Sequence, residues 1–270
     1  MHNIKEIRKD LNFFKKKISE RNFSINFDDL ISFDKDNRNL IQQKEKKEQE
    51  KKLLSKLKNP SNFEKSKNLS IEIDGITKKQ VILQNKIFTI LSSIPNIARD
   101  DVPIGVDEKS NKLIKKNGNI RKFVFPIKSH VEIGEKNNQI DFKTSSKISG
   151  SRFVILNSHF ALLERALINF MLDVHIDKFS YKEISPPLLV NENVMFGTGQ
   201  LPKFEEDQFE IKKTKDEERK FLIPTAEVVL TNLVRDSIID SKKLPLRYVA
   251  STPCFRKEAG SYGKDTKGMM

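Results

Sequence analysis

Residues 73–97 read IDGITKKQVILQNKIFTILSSIPNI. Ile73, Ile76, Leu83, Ile87, Ile90, Ile94 and Ile97 succeed one another in alternating steps of three and four, with Gln80 in the remaining slot. That spacing belongs to a helix that seats one edge against a partner helix. Upstream, Asn59-Pro60-Ser61 is a break. From Asp28 to Lys58 there is neither Gly nor Pro, and Asp28 and Asp29 offer a helix start. The middle of this second segment, Gln42 to Lys52 (QQKEKKEQEKK), holds no apolar residue. A bundle helix needs a buried stripe throughout, so a segment this polar points to an arm projecting into solvent, supported by its partner. Two long helices joined by a short break predict an antiparallel hairpin, and about 30 residues of helix reach ~45 Å. Gly75 and the few apolar residues facing it predict a weakly held tip. Ahead of the hairpin, Ile4, Ile7, Leu11, Phe14 and Ile18 in Met1–Phe23 predict a helical lead-in.

Downstream, Ile94-Pro95-Asn96 and Asp100-Asp101-Val102-Pro103-Ile104-Gly105 are loop chemistry. Short β-rich runs follow, among them Lys122-Phe123-Val124-Phe125 and Arg152-Phe153-Val154-Ile155-Leu156. The change of character places a boundary between Ser93 and Val106, with a helical arm over residues 1–98 and a second domain over residues 99–270. The fold class is α+β. His159 to His175 forms a strong helix whose apolar face (Phe160, Leu163, Leu167, Phe170, Met171, Val174) is widened by Leu162, Ala166 and Ile168. A stripe that wide packs either in its own core or against a second subunit.

The net charge of +13 attracts polyanions, nucleic acid first among them. Lysines outnumber arginines 39 to 11, a bias that coding composition also produces. Gln42–Lys58 carries seven Lys against three Glu, so the arm is locally basic: either a solvated face or a phosphate-contacting surface. No apolar run of 18 residues is present, and Met1–Lys17 lacks the apolar stretch of a secretory signal. The expectation is a cytoplasmic protein with no membrane contact. Cys254, the one cysteine, has no partner for an internal disulfide. His2, His130, His159 and His175 are scattered without zinc spacing, and no resident metal site is expected.

Tyr181–Val190 (YKEISPPLLV) predicts a strand ended by Pro186-Pro187. Gly197-Thr198-Gly199-Gln200-Leu201-Pro202-Lys203-Phe204 is a glycine loop without phosphate-loop spacing, either a surface turn or a lid. Leu222-Ile223-Pro224-Thr225-Ala226-Glu227 predicts a strand feeding a helix that runs to about Ile239, with Thr225 as N-cap and Glu227 in the first turn. The same hydroxyl and carboxylate suit a substrate ammonium. Leu244–Ala250 predicts a strand, and Pro253–Glu258 starts another. Alternation there sets Arg256 and Glu258 on one face, Phe255 and Lys257 on the other. Such an Arg and Glu either pair at the surface or grip a nucleotide, the Arg through phosphate and the Glu through an exocyclic amine. Ala259–Gly268 (AGSYGKDTKG) is a basic, glycine-rich loop.

These segments in this order, behind a basic helical hairpin, resemble the seryl-tRNA synthetase family of class II aminoacyl-tRNA synthetases. The resemblance runs nearly the whole chain. It is weakest in the arm and strong from Ile148-Ser149-Gly150-Ser151-Arg152-Phe153 through Leu163–Phe170, Gly197–Phe204, Leu222–Glu227 and Thr252–Gly260. It implies a coiled-coil tRNA-binding arm, then an antiparallel-sheet catalytic domain, incomplete here because the chain ends at Met270 within the second class II motif. It implies serine and ATP with Mg2+ as reactants, seryl-adenylate as intermediate, and tRNA(Ser) and tRNA(Sec) as acceptors. It also implies a homodimer through the Pro-Pro segment and the helix before it. Thr225, Ala226 and Glu227 match the serine-binding stretch; Arg256, Lys257 and Glu258 match the ATP-binding start of motif 2, with Arg256 catalytic at the α-phosphate and Glu258 at the adenine. Ser180 stands where the family usually has Gly, Lys264 and Lys267 where it often has Arg, and Tyr262 where it has a small residue. The 270 residues alone are expected to be inactive. A paralogue for another small amino acid or carrier, and a non-enzymatic tRNA-binding fragment, stay open.

Overall fold

A computed structural model describes residues 1–56, 62–150, 153–212 and 218–257. The chain divides into two compact units, Met1–Gly118 and Asn119–Met270.

In the first unit the lead-in is two helices, α1 (Ile4–Lys9) and α2 (Leu11–Ser19), rather than one. Asp10 leaves the helical region (φ −143°), and its side chain accepts from the Phe13 N–H at 2.9 Å. A short carboxylate that can cap the next helix favours that break over continuation. The hairpin forms as expected from α3 (Phe27–Lys56) and α4 (Asn62–Ser93); the break expected at Asn59-Pro60-Ser61 lies outside the described residues. Its antiparallel register is visible in two cross-links. Lys86 lies 5.0 Å above the Phe33 ring, and Lys47 pairs with Glu72, so numbering rises along one helix as it falls along the other.

The α4 seam follows the spacing. Ile76, Gln80, Ile87 and Ile94 are buried, Ile73, Leu83, Ile90 and Ile97 half-buried, and Leu69 extends the pattern toward the tip. On α3 the buried residues are Phe27, Leu30 and Asp34, all at the base. There they meet Ile7, Phe14 and Ile18 of the lead-in, Ile87 and Leu91 of α4, and Ile94 just beyond it. The apolar burial that holds the arm is thus concentrated at one end. Asp34, although buried, faces Arg38 Nε at 3.1 Å and Arg8 Nε at 3.4 Å, the pairing that a buried carboxylate requires.

The second unit begins with α5 (His130–Lys136), closed by a capping box between Ser129 and Glu132. β1 (Ile140–Asp141) pairs antiparallel with β2 (Ile155–Leu156), and α6 (Phe142–Ser149) lies between them in sequence. Then come α7 (His159–Phe179), β3 (Lys182–Glu183), β4 (Leu189–Asn191), α8 (Glu192–Gly197), β5 (Lys220–Leu222), α9 (Glu227–Asn232) and β6 (Tyr248–Val249). β4 and β5 are antiparallel with Val190 opposite Phe221, whereas β3 and β6 run parallel. Val190, Met195, Leu201, Phe221, Ile223, Val228 and Val229 form the core between this sheet and its helices.

Several expectations about elements change, among them the strand expected from Pro253 onward: residues 253–257 run without a strand ladder. Lys122–Phe125 is no strand: residues 111–130 are exposed throughout, so no neighbour supplies a ladder, and Pro126 follows directly. The strand expected over Leu244–Ala250 is confined to Tyr248–Val249, because Pro245 has no N–H to donate. α9 stops at Asn232, well short of Ile239. Asn232 Nδ2 donates to the Val228 carbonyl at 2.7 Å and to the Val194 carbonyl at 3.2 Å, and Asp236 then takes a positive φ of 56°. On α7, by contrast, the wide stripe forms but is not covered among the described residues: no residue of the helix is buried, and Phe170 is 63% exposed.

Candidate active site

β5 delivers the chain to the corner Ile223-Pro224-Thr225-Ala226-Glu227. Phe221 and Ile223 before it and Val228 after it are fully buried, so the corner is pinned at both ends by the core. The expected N-cap role of Thr225 is corrected. Ala226 is the cap residue and already has helical angles (φ −60°, ψ −28°), and no side chain caps α9. Thr225 contributes only its backbone carbonyl, which accepts from the Val228 N–H at 3.3 Å. A capping hydroxyl needs an extended residue at the cap position, which this tight turn does not provide. The Thr225 hydroxyl is therefore left out of the helix start, on a half-buried residue.

Glu227 is exposed in the first turn of α9, where a carboxylate complements the helix N-terminus. It lines a surface cleft of about 540 Å³ together with Tyr181, Thr231, Arg247 and Tyr248. Arg247 also lines a second cleft of about 600 Å³ with His175, Lys178 and Tyr181.

Arg256 is held beside the same corner. The Phe255 N–H donates to the Ile223 carbonyl at 2.9 Å, the Lys257 N–H to the Asp207 carbonyl at 2.9 Å, and Arg256 Nε to the Pro224 carbonyl at 3.1 Å. Its Nε is thus committed to orientation, and the two terminal nitrogens take no carboxylate among the described residues. Lys257 turns the other way, its ammonium 5.8 Å from the Phe209 ring centre, as alternation along an extended segment requires. Glu258 lies outside the described residues, as does the loop Ala259–Gly268. The structure therefore brings Arg256 to Pro224, the residue preceding Thr225, while Glu227 faces a cleft that Arg256 does not line.

The glycine loop 197–204 is anchored rather than free. Leu201 is buried in the core, and the Gln200 N–H donates to the Met195 carbonyl at 3.0 Å. Gly199 takes φ 76°, a conformation that glycine adopts without strain. Two features escaped the sequence. One is the neighbourhood of Glu227, where Tyr181 and Arg247 converge from the residues just before β3 and β6. The other is Arg219, at whose guanidinium the carboxylates of Glu192, Glu205 and Glu210 meet. Its partners stand 9 to 27 positions away. No helical or strand period links positions at those separations.

The family described as seryl-tRNA synthetase N-terminal domain matches residues 1–98, and the tRNA synthetase class II core domain (G, H, P, S and T) matches residues 208–270. Among curated proteins, the serine–tRNA ligase of Pelagibacter ubique is 58% identical over the whole chain, which covers 64% of it. That of Wolbachia pipientis from Culex pipiens is 45% identical, again over the whole chain and over 65% of its own length. Among solved structures, the Pyrococcus horikoshii seryl-tRNA synthetase complexed with ATP superimposes with a TM-score of 0.80 at 30% identity, covering 99% of this chain and 66% of that one. The chain therefore spans about two thirds of the length of the proteins it matches.

Proposed function

Since the chain belongs to the seryl-tRNA synthetase family, we propose that the whole protein is a serine–tRNA ligase, which activates serine with ATP and passes it to tRNA(Ser) and tRNA(Sec). Residues 1–98 are its tRNA-binding arm and residues 99–270 its catalytic portion. What carries this reading is the bond from Arg256 Nε to the Pro224 carbonyl, which sets a guanidinium beside the Thr225-Ala226-Glu227 corner from 32 positions away.

In this reading Thr225, Ala226 and Glu227 receive serine, with the Glu227 carboxylate accepting from its ammonium group. Arg256, Lys257 and Glu258 receive ATP. The serine carboxylate attacks the α-phosphorus, the bond to the β-phosphate oxygen breaks, and pyrophosphate leaves. Arg256 offers two donors to the α-phosphate oxygens as charge builds on them, a role for a donor whose direction is fixed beforehand. Among the described residues no three acidic, His or Cys side chains converge to hold a metal. The Mg2+ of the reaction is taken as arriving on the ATP phosphates.

The exposed stripe of α7 favours a homodimer in which a second copy covers it: Leu163, Leu167, Phe170 and Met171 are each about half exposed or more. The basic arm supports a tRNA partner. No described helix is long and apolar enough to cross a membrane, and we place the protein in the cytoplasm with its tRNA substrates. Serine-dependent ATP–pyrophosphate exchange by the whole protein, beside Arg256→Ala and with glycine and alanine as competing substrates, is the test. Robust exchange with serine alone, lowered about a hundredfold or more by the substitution, is expected. No exchange with serine in a folded dimer overturns the assignment.

A further inference from the structure

Arg219 immediately precedes β5 and faces three carboxylates. Its Nε and Nη2 grip both oxygens of Glu210 at 2.7 and 2.9 Å, Nη1 meets Glu192 at 2.6 Å, and Nη2 also meets Glu205. The guanidinium lies 5.0 Å above the ring of Phe221, a fully buried core residue. Arg219 thereby ties the first residue of α8, the 3-10 turn Glu205–Asp207 and Glu210 to β5. Glu210, chiefly, and Glu205 hold its proton more firmly than in a free arginine, so the cation persists at any pH at which the protein folds.

The tied turn has one further attachment. The Asp207 carbonyl accepts the Lys257 N–H at 2.9 Å, while two residues earlier the Phe255 N–H reaches the Ile223 carbonyl at 2.9 Å. The Arg256 backbone is thus suspended between two supports, the end of β5 and the turn. The first support is a core residue. The second is a turn linked to the sheet through Arg219, through the Leu222 N–H to the Phe209 carbonyl at 3.0 Å and through the Ile211 N–H to the Lys220 carbonyl at 2.9 Å, with Gln208 buried between turn and strand. Removing Arg219 takes away the cation that Glu192, Glu205 and Glu210 share, and with it the side-chain tie from Glu205 in the turn to the start of β5.

We infer that Arg219 is a positioning residue for adenylation, holding the turn Glu205–Asp207 so that Arg256 meets the α-phosphate. This rests on the assignment of Arg256 above. A displacement of about 1 Å at such a group costs up to about a hundredfold in rate. The Thr225–Glu227 corner is pinned by Ile223 and Val228 independently of the turn, so serine binding is spared.

The test uses the whole protein. Arg219→Met keeps length and packing but removes charge and donors; Arg219→Lys restores charge without the fork. The expected result for Arg219→Met is a kcat of serine-dependent pyrophosphate exchange lowered about ten- to a hundredfold, with the KM for serine unchanged and partial recovery in Arg219→Lys. In an Arg256→Ala background, Arg219→Met should lower exchange no further, whereas a merely structural role would lower it again in proportion. Should Arg219→Met not fold, Glu205→Gln releases only the turn, and a lower kcat at unchanged serine KM is expected there as well. Wild-type kcat in a folded Arg219→Met or in Glu205→Gln, or full multiplication of the two losses, overturns the inference while the assignment of Arg256 stands. Wild-type exchange in Arg256→Ala alone overturns the assignment itself.

Discussion

Arg256 Nε donates to the Pro224 carbonyl over 3.1 Å, and this one bond converts a flexible surface arginine into a directed donor beside the Thr225–Glu227 corner. An arginine spends its fork on whichever oxygens it meets, so fixing Nε on the backbone leaves the outer pair for a phosphate. In the whole protein, Arg256→Ala is expected to lower serine-dependent pyrophosphate exchange by about a hundredfold or more. Arg256→Lys is expected to recover little, since an ammonium cannot hold Pro224 and phosphate together. Exchange by Arg256→Lys at half the wild-type rate would show that charge alone suffices.

The arm is held from its base. Leu30 is fully buried there against Ile7, Ile87 and their neighbours, whereas Leu53, farther along α3, is 62% exposed. Leu30→Ala is expected to cost about 2–5 kcal/mol, and Leu53→Ala less than about 0.5 kcal/mol. Urea unfolding followed by helical circular dichroism measures both. Equal losses would mean that the arm's apolar burial is spread along its length.

Shortening the arm without touching its base separates its role from catalysis. The register of Phe33 against Lys86 and Lys47 against Glu72 sets Leu40 opposite Lys79. Deleting residues 41–78 and joining the ends by a short glycine loop therefore spares the base core. Pyrophosphate exchange should stay within about twofold of wild type, while serine transfer to tRNA falls by at least about tenfold and loses much of its salt dependence. Parallel loss of both activities would remove the arm from tRNA binding.

Asp141 caps α6 by accepting the Thr144 N–H at 2.8 Å, and that bond, the largest cause, holds its carboxyl below the usual range. The unfolded chain therefore takes up this proton first as pH falls, near the ordinary value of about 3.9. The stabilisation is complete above that value and is lost as pH drops through the lower folded-state value. Asp141→Asn caps without titrating, so its thermal midpoint should fall less steeply than wild type below about pH 4. Melting curves at stepped pH check this; identical slopes would assign the acid sensitivity elsewhere.

Much of the first unit was legible because helices announce their buried edge. The steps from Ile73 to Ile97 named the α4 seam, and the apolar-free run Gln42–Lys52 foretold an α3 without buried residues beyond its base. Elements whose ends depend on competition were read less well. Asp10 as a cap, Asn232 turning onto the Val228 carbonyl and the missing donor at Pro245 each shortened or split an element that its apolar pattern had extended. Lys122–Phe125 had strand composition, but a strand also needs a neighbour, and none is present among the described residues.

At the candidate site, the sequence by itself determined which residues are available: Thr225, Ala226 and Glu227 at a strand end, and Arg256 and Lys257 on alternate faces. Local spacing carries that much, because period and residue type fix side-chain direction within one element. Only the tertiary structure decided that Arg256 is aimed by the Pro224 carbonyl, that Thr225 is left out of the α9 start, and that Arg219 gathers Glu192, Glu205 and Glu210. It also decided that the apolar stripe of α7 is left uncovered by the described residues. Periodicity states that a face must be buried or a charge paired; what meets it is set by how distant segments pack, and no local pattern records that.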